Sequence, residues 1–527
     1  MAIAASLLLA SGVAAVGPGG WGHLGTGLTN GVASLNGAVY AVTADSPGVL
    51  LVGGNFTSAG GSANAARVAT WNGTAWGALN GTPISNGSVF ALAYVGGRVF
   101  AGGTFLNAGG DPNADYLAEW SGSGWASACG SGPGPAFTAT VNALQVIGNT
   151  LYVGGSFANA AGIPSADFLA ACDVTSGVVT SVFAADGDMN GGVAALTADS
   201  NGTLYAGGQF INVNGIPEAD HVAAYDGTWH AMGSGSGPTK GAVDSIVRSL
   251  AAHGTDVYVG TDAVNVAQIA NADHLVRWDG SNWNAVGSNT AGTDGWFPAS
   301  TFINGITTVG PMVVAAGSFQ NANGVAAADD IAYFDGSAWR PIGSNGAGNG
   351  PVIGNLTAVG IFRNTVYASG NFTTAGGDGL ARSIAGYALT LPDARIGLAS
   401  AGPFSGNAVY SSTGAGESRT RFVTRGKTGT FYVNVQNDGL VAASYTIKGT
   451  GGARGITVRY YRGATNVTTA VKAGTYSTGA IAARGSVTLK VVVTVAKSSA
   501  SSGTFLVKAT SLSGTPPDAV KAIVKAR

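Results

Sequence analysis

Short runs of apolar residues alternate with turns rich in glycine, asparagine and aspartate along the first 390 residues. One of them, Ser88–Val95, alternates well enough for a strand; the Gly96-Gly97 turn follows, and then the similar run Arg98–Phe105. Alternation over this length is typical of a strand, and a two-residue glycine turn favours a hairpin. Long stretches with helical periodicity are absent. The pattern therefore predicts an all-β protein.

A Gly-Gly-x-Phe motif, or a close variant of it, recurs at intervals of 49 to 55 residues. Its last position is Phe56, Phe105, Phe157, Phe210, Phe319 and Phe372, and a degenerate copy places Val264 there. A period of this size, with four short strands in each copy, indicates the blades of a β-propeller. Seven copies predict a seven-bladed propeller over residues 17–391. We expect the adjacent glycines to allow close approach of neighbouring blades.

The fourth strand of several copies begins with tryptophan, and an apolar residue followed by a small polar residue or glycine comes three positions later. Examples begin at Trp76, Trp229, Trp283 and Trp339. The seventh copy ends near residue 391 without this strand, whereas Trp21–Leu24 has the motif but no copy before it. We therefore expect the N-terminal strand to join the last blade and close the ring, which removes two exposed sheet edges.

The composition changes after Leu391. Residues 392–406 are expected to form a linker, and residues 407–527 contain at least six basic, alternating strands that predict an immunoglobulin-like β-sandwich. Residues 1–400 carry 9 Lys and Arg against 23 Asp and Glu, a balance of −14, and residues 401–527 carry 16 against 3, a balance of +13. The basic domain is expected to bind an anionic envelope polymer or an acidic surface of the same or another copy, or simply to present a solvated face. No nucleic-acid partner is expected, because no recognised binding motif accompanies the charge.

The first 16 residues form an apolar run of signal-peptide length without preceding basic residues. It is interpreted as a possible signal peptide or a truncated one, with a strand as the alternative, and we expect a secreted or cell-surface protein without a membrane span. Cys129 and Cys172, the two cysteines, are predicted to end strands of neighbouring blades. They either form a disulfide or remain two buried thiols.

The Gly-Gly pair at the end of each second strand resembles kelch-like and galactose-oxidase-type repeats. The copy LTADSNGTLYAGGQFINVNG, residues 196–215, is similar to the delta-60 repeat of secreted bacterial proteins. Residues 433–439, VNVQNDG, resemble a strand and turn of bacterial cell-adhesion-related sandwich domains. These resemblances imply the fold and leave the function open, because such propellers include both enzymes and binding platforms.

Candidate chemistry is sparse. The five histidines do not cluster as a copper site would require, and the first 400 residues contain only two glutamates, although a pair of aspartates could still carry out hydrolysis. Five aspartates precede the third strand at equivalent positions and either cap a turn or form a ring of carboxylates. They are Asp115, Asp167, Asp220, Asp273 and Asp329.

Two loops carry the candidate binding residues. Asp186, Asp188 and Asn190 follow the D-x-D-x-N-G order of a calcium loop, and the alternative is a turn between blades. Trp296 and Phe297 lie in the longest loop, residues 287–300, where they either stack on a sugar or a peptide or pack beneath the loop.

The sequence thus favours a non-catalytic secreted or cell-surface protein for binding or adhesion. The propeller would bind a glycan or a surface protein, and the basic sandwich would anchor or assemble it. One alternative is a hydrolase or lyase that acts on polysaccharide. The other is a self-assembling envelope or filament subunit.

Overall fold

The computed structural model describes residues 20–25, 34–44, 48–130, 132, 134–235, 237, 240–309, 312–363, 365–407, 409, 411–439, 442–452, 455–498, 502–511 and 517–527. Strands dominate, as predicted, and the one α-helix of these residues is Thr468–Ala473. The chain divides into two compact units. The repeat unit contains His23–Phe362 and Val366–Gly386, and the C-terminal unit contains Tyr387–Arg527 together with the described parts of Met1–Gly22 and Arg363–Thr365.

Seven four-stranded sheets follow the sequence repeat, and we number them in the order of their first strands. Sheets 1 to 3 consist of Val39–Ala44, Leu50–Gly54, Val68–Trp71 and Trp76–Gly77; of Val89–Val95, Arg98–Gly103, Leu117–Trp120 and Trp125–Ser127; and of Val141–Ile147, Thr150–Gly155, Leu169–Asp173 and Val179–Ser181. Sheets 4 to 6 consist of Val193–Ala198, Leu204–Gly208, Val222–Tyr225 and Trp229–Ala231; of Val247–His253, Asp256–Thr261, Leu275–Trp278 and Trp283–Ala285; and of Phe302–Val309, Met312–Ser318, Ile331–Phe334 and Trp339–Pro341. Sheet 7 consists of Val352–Phe362, Thr365–Ala375, Ile384–Ala388 and Trp21–Gly22.

The first strands of the seven sheets contact one another in a closed circuit. Each contacts the first strand of the following sheet, and Val352–Phe362 of sheet 7 contacts Val39–Ala44 of sheet 1. In sheets 1 to 5 the first glycine of the motif makes this approach possible; Ala316 and Ser369 hold the position in sheets 6 and 7. A Cβ atom at Gly53 would lie 2.7 Å from Val89 Cγ1 of the next sheet, and one at Gly154 would lie 2.6 Å from Val193 Cγ1. The expectation that these glycines allow close approach is confirmed.

The second glycine of the motif has a different role. A Cβ atom at Gly103 would overlap the backbone oxygen of Ser88 in its own sheet. This glycine therefore accommodates a β-bulge at the start of the first strand, whereas its predecessor accommodates the neighbouring sheet.

Indole groups link each of several sheets to the sheet before it. The tryptophan that begins a fourth strand donates its Nε1–H to a backbone oxygen three residues beyond the start of the preceding fourth strand. The pairs are Trp229 to Val182 (3.2 Å), Trp283 to Met232 (2.5 Å), Trp339 to Val286 (2.5 Å) and Trp76 to Leu24 (2.8 Å). Leu24 thus takes the place in sheet 7 that Val182, Met232 and Val286 take in theirs. The N-terminal segment supplies the fourth strand of sheet 7.

One position of the repeat differs from the sequence alignment. Ala263, not Val264, occupies the phenylalanine position of the degenerate copy. Ala263 is buried and its carbonyl oxygen accepts the His274 N–H at 3.0 Å, as the Phe105 oxygen accepts the Tyr116 N–H at 2.9 Å, whereas Val264 is 46% exposed. In the sequence alignment Val264 was placed at this position because valine is closer in size to phenylalanine than alanine is. The backbone hydrogen bonds place Ala263 there.

The C-terminal unit contains two sheets around one hydrophobic core. Sheet 8 has the strand order Phe404–Ser405, Pro392–Gly397, Thr428–Asn437, Ser486–Val495, Ile456–Arg462 and Thr465–Asn466. Sheet 9 has the order Ser418–Val423, Asp518–Ala526, Ser502–Ser511, Ala443–Gly449 and Tyr476–Ile481. Alternate residues of both sheets enter the core, among them Phe431 and Val491 of sheet 8 and Tyr445 and Phe505 of sheet 9.

The expectation of a linker at residues 392–406 was wrong at both ends, since Phe404–Ser405 is also a strand and pairs with Ile396 and Gly397. Pro392–Gly397 is a strand that pairs with Thr428–Asn437, and Ala394 and Ile396 belong to the core. The surrounding proline and glycines concealed this short alternation. The proposed signal segment, residues 1–16, lies outside the described residues. Among the described residues, no helix is long and apolar enough to cross a membrane.

Candidate functional site

The loop aromatics predicted to bind a ligand are buried instead. Trp296 and Phe297 are only 5% and 7% exposed. The Trp296 ring is stacked with Trp339 at a centroid distance of 5.4 Å, and Phe297 meets Phe319 edge-on at 5.0 Å. Neither ring offers a face to a ligand, so the expectation of ligand binding is corrected to the packing alternative: the apolar rings gain more by burial in the core of sheet 6 than by exposure.

The proposed calcium loop uses its oxygens on the backbone. Asp188 Oδ2 accepts the Ala185 N–H at 2.9 Å, and Asn190 Oδ1 accepts the Ile211 N–H at 2.9 Å. No three His, Cys, Asp or Glu side chains within the described part of the chain are arranged as a metal shell. Calcium binding by Asp186, Asp188 and Asn190 remains a prediction.

The five equivalent aspartates cap turns. Each Oδ1 atom accepts the N–H of the asparagine eight residues earlier, which has positive φ. The pairs are Asp115 with Asn107 (2.7 Å), Asp167 with Asn159 (2.6 Å), Asp220 with Asn212 (2.9 Å), Asp273 with Asn265 (2.7 Å) and Asp329 with Asn321 (2.5 Å). The capping alternative is confirmed, and these carboxylates serve the fold.

Cys129 and Cys172 are joined by a disulfide, with Cα atoms 6.0 Å apart. Cys172 lies in the third strand of sheet 3, and Cys129 follows the fourth strand of sheet 2. The bond therefore links two neighbouring sheets, which are also joined close by through the Gly130 N–H, donated to the Gly177 oxygen at 2.7 Å.

A set of side chains that the sequence analysis did not single out surrounds the circuit of first strands. In sheets 1 to 6 the register between the first and second strands shifts by one residue near the start of the first strand. The residue at the shift is Tyr40, Phe90, Asn142, Ala194, Arg248 and Asn304, and Thr357 holds the same repeat position in sheet 7. We call these seven residues the bulge ring. A bulge turns a side chain away from the regular alternation of the strand.

A second set lies beside the first. The variable residue of the Gly-Gly-x-Phe motif directly follows the second strand in sheets 1 to 5 and lies within it in sheets 6 and 7. Antiparallel pairing places it at the same end of the sheet as the bulge, as the pair Val89 and Gly103 shows. These residues are Asn55, Thr104, Ser156, Gln209, Asp262, Ser318 and Asn371. We call them the polar ring, because each side chain is polar. The turns between third and fourth strands lie at the other end of each sheet, where the first strand ends and the second begins.

The two rings enclose a cavity at sheets 3 to 6. Its volume is about 340 Å³, and its lining includes Asn142, Ser156, Gln209, Arg248 and Asn304. These side chains are partly or fully exposed. The cavity therefore presents amide, hydroxyl and guanidinium groups to solvent.

Side chains of the bulge ring are oriented by the next sheet. Asn142 Nδ2 donates to Val193 O at 3.2 Å, and Asn304 Nδ2 donates to Leu356 O at 3.0 Å. Thr357 Oγ1 donates to Val39 O at 2.7 Å, so this type of link also joins sheet 7 to sheet 1. Such contacts hold the polar groups in place before any ligand arrives, which lowers the entropy cost of binding.

Charge on the two rings is paired, and aromatic surface lies next to it. Arg248 donates through Nε and Nη2 to the two carboxylate oxygens of Asp262 at 2.6 and 2.7 Å, and its Cζ lies 4.5 Å from the ring centroid of Phe302. Tyr40 and Phe90 meet edge-on at 5.3 Å. The arrangement suits a ligand that stacks and accepts or donates hydrogen bonds without carrying a strong net charge.

The signal for this site was present in the repeat itself. The position before the bulge is Val39, Val89, Val141, Val193, Val247, Ile303 and Leu356, whereas the next position ranges from alanine to arginine. The sequence analysis relied on the constant residues of the Gly-Gly-x-Phe motif and therefore did not consider the variable position of the bulge ring.

Comparisons with known proteins leave the family undefined. No protein-family model and no curated protein matches the chain. The ASH / PapD-like domain of human CEP192 (PapD-like domain 7) is 10% identical over 21% of this chain and 82% of its own length, with a TM-score of 0.13. Domains 4 and 5 of the S-layer protein SbsC are 15% identical over 32% of this chain and 66% of their own, with a TM-score of 0.14. Both cover a minor part of the chain, so function is inferred from its own side chains.

Proposed function

We propose that this chain is a non-catalytic binding protein, secreted or displayed at a cell surface. In this proposal the seven sheets are the blades of a kelch-like or delta-60-type β-propeller, closed by Trp21–Gly22, and the face with the bulge and polar rings binds a neutral, hydroxyl-rich ligand such as a glycan. The basic C-terminal unit is an immunoglobulin-like sandwich that anchors or assembles the protein, and an anionic envelope polymer suits its charge.

The observation that carries the proposal is the variety of side chains at one repeated position. Every sheet has at least one motif glycine and apolar strand residues, and five have the capping aspartate, yet the bulge ring contains two aromatic residues, two amides and a guanidinium. Aromatic faces stack on sugar rings, and amides and paired charges exchange hydrogen bonds with hydroxyl groups. A regular scaffold with one diversified opening is typical of ligand recognition.

Hydrolysis has less support at this face. Of the fourteen side chains in the two rings, one is a carboxylate, Asp262, and it is engaged by Arg248. Glycoside hydrolysis ordinarily requires two carboxyl groups that face each other across the bond. A binding role asks for no such pair.

Binding assays on full-length protein test the proposal. The parent is screened against arrays of neutral and acidic oligosaccharides, and the best ligand is then titrated calorimetrically. Ser156→Arg and Gln209→Arg place long side chains into the cavity and are expected to weaken binding by at least about tenfold, roughly 1.4 kcal/mol. Ser281→Arg is the matched control. It lies in a third-to-fourth turn, at the end of the sheet opposite the two rings, and should bind as the parent does.

Two results would contradict the proposal. In the first, the parent retains no neutral oligosaccharide from the array. In the second, a ligand is found whose affinity is the same in all three variants while their melting temperatures equal that of the parent.

Self-assembly is a second candidate, favoured by the opposite balances of −14 in residues 1–400 and +13 in residues 401–527. Attraction between acidic and basic surfaces of different copies is weakened by salt, because the Debye length falls to about 3 Å at about 1 M. Sedimentation velocity should then show oligomers at low salt that dissociate at about 1 M salt. A monomer under both conditions would remove this candidate.

A further inference from the structure

The C-terminal unit places its acids inside and its bases outside. From Pro392 onward the chain has four acidic residues, Asp393, Glu417, Asp438 and Asp518, and their exposed fractions are 0%, 0%, 6% and 0%. Every lysine and arginine among the described residues of the unit is at least partly exposed. Carboxylates are seldom fully buried without partners that offset the loss of hydration, so this inversion requires a physical cause.

Three of the four acids meet where the two sheets join. Asp393 lies on strand Pro392–Gly397 of sheet 8, Glu417 directly precedes the edge strand Ser418–Val423, and Asp518 begins strand Asp518–Ala526. Asp518 connects these segments: Oδ2 accepts the Ala394 N–H at 2.6 Å, and Oδ1 accepts the N–H groups of Ser411 and Ala519 at 2.7 and 2.9 Å. Ser418–Val423 itself runs parallel to and pairs with Lys521–Ala526.

Glu417 is the anomalous member of the cluster. Its side chain is completely buried, and neither carboxylate oxygen accepts a hydrogen bond from the described residues. The Ser411 N–H is already directed to Asp518. Burial and the neighbouring carboxylates of Asp518 and Asp393 raise the pKa of Glu417 far above its usual range.

Positive charge around the cluster is limited. Arg395 Nε lies 3.8 Å from Asp393 Oδ2, while its Nη1 and Nη2 atoms donate to Asn407 and Asn434. Lys521 donates its backbone N–H to the Glu417 carbonyl oxygen at 2.8 Å, and its side chain is partly exposed. One guanidinium therefore faces three carboxyl groups, and an ionised Glu417 would be a buried charge without a hydrogen-bond donor among the described residues, which costs several kcal/mol.

We propose that a proton shared between Glu417 and Asp518 keeps this cluster buried, and that its loss at alkaline pH releases the edge strand Ser418–Val423. A protonated Glu417 donates its O–H to Asp518, which satisfies one orphaned oxygen and removes one negative charge. When solvent base takes the proton, two adjacent carboxylates repel each other in a dry site. Opening of the edge strand then hydrates Glu417 at little cost to the rest of the sheet.

The direction of the pH effect follows from linkage. The folded cluster binds a proton that the opened segment releases above about pH 5, the ordinary range of a glutamate. Stability of this corner is therefore greatest in acid and falls as the pH rises, by up to about tenfold in the opening equilibrium for each pH unit.

Hydrogen exchange of the full-length protein between about pH 6 and pH 9, corrected for intrinsic rates, tests the proposal. In the parent, amides of Ser418–Val423 should lose protection steadily as the pH rises. Glu417→Gln mimics the protonated acid, so the loss should disappear and protection at about pH 9 should exceed that of the parent. Asp438→Asn, at the remaining buried acid, is the matched control and should follow the parent.

Three outcomes would overturn the proposal. The first is protection of Ser418–Val423 in the parent that does not change with pH. The second is a Glu417→Gln variant with the same pH dependence as the parent. The third is an increase in protection when about 1 mM calcium is added to the parent but not to Glu417→Gln, which would make the cluster a cation site instead. The parent series alone decides the first outcome if the variant fails to fold.

Discussion

The repeat unit and the C-terminal unit use carboxylates in opposite ways. In the repeat unit, Asp115 and its four counterparts each cap a turn within their own copy, eight residues from the backbone group that they bind. In the C-terminal unit, Asp518 accepts backbone N–H groups from residues 124 and 107 positions away along the chain. Carboxylates that bind nearby backbone groups recur with the sequence period. Carboxylates that bind backbone groups far away along the chain have no periodic sequence pattern.

The two units also differ in how their sheets pack against each other. Neighbouring sheets of the repeat unit approach through glycine, at Gly53 and Gly154 for example, so that a missing side chain makes the contact. The two sheets of the C-terminal unit meet through large interdigitating residues such as Phe431 and Tyr445. The first kind of interface tolerates no added atom, whereas the second tolerates changes of shape that preserve volume.

The largest expected effect comes from filling one of the glycine contacts. Gly154→Val places atoms where Val193 already lies, so the repeat unit should fail to fold or lose more than about 3 kcal/mol of unfolding free energy. Tryptophan fluorescence isolates this unit, because nine of the ten tryptophans lie in residues 23–386. Gly124→Ala is the control, since a Cβ atom there has no neighbour within 4 Å. A cooperative transition within a few degrees of the parent would show that the sheets can move apart.

Removal of a buried loop aromatic should be the next most damaging change. Trp296→Ala leaves a cavity beside Trp339 and Phe297 and should cost about 3–5 kcal/mol in the fluorescence transition. Leu106→Ala, at a side chain that is 39% exposed, should cost far less. Equal melting temperatures for Trp296→Ala and the parent, together with lost glycan binding, would instead restore Trp296 to a ligand site.

Loss of the disulfide should weaken the repeat unit by a smaller amount. The bond closes a loop with a sequence separation of 43 residues, and the double change Cys129→Ser, Cys172→Ser is expected to cost about 2–4 kcal/mol. A reductant should have the same effect on the parent and none on hydrogen exchange within the C-terminal unit, which has no cysteine. If the melting temperature measured by fluorescence is the same with and without the reductant, the disulfide contributes nothing to the stability of the repeat unit.

The smallest effect belongs to a single cap. Asp167→Ala removes the acceptor of the Asn159 N–H at a partly exposed turn and should cost about 1 kcal/mol. Asp244→Ala, an exposed aspartate outside the capping set, is the control and should be nearly neutral. The comparison between units fails if Asp167→Ala proves as damaging as Asp518→Ala, which strips acceptors from three backbone N–H groups.

Much of the fold could be predicted from the sequence, and little of the candidate site. The period exposed four strands in each copy, and the displaced Trp21 pointed to the fourth strand of sheet 7. The bulge ring was missed because the repeat shows which position varies but not that the strand register shifts there, as in the run Val-Phe-Ala-Leu. Pro392–Gly397 was missed because a strand of six residues beside proline and glycine resembles a loop.

The sequence by itself determined the repeat, the turn chemistry and the division into an acidic and a basic part, because these depend on residues close together along the chain. Tertiary structure alone decided that Trp296 and Phe297 are core, that Ala263 replaces a phenylalanine, and that Glu417 and Asp518 share a corner of two sheets. Contacts between residues a hundred positions apart follow from how sheets stack and register. That information is held in backbone geometry and shared volume, which no local pattern of residues encodes.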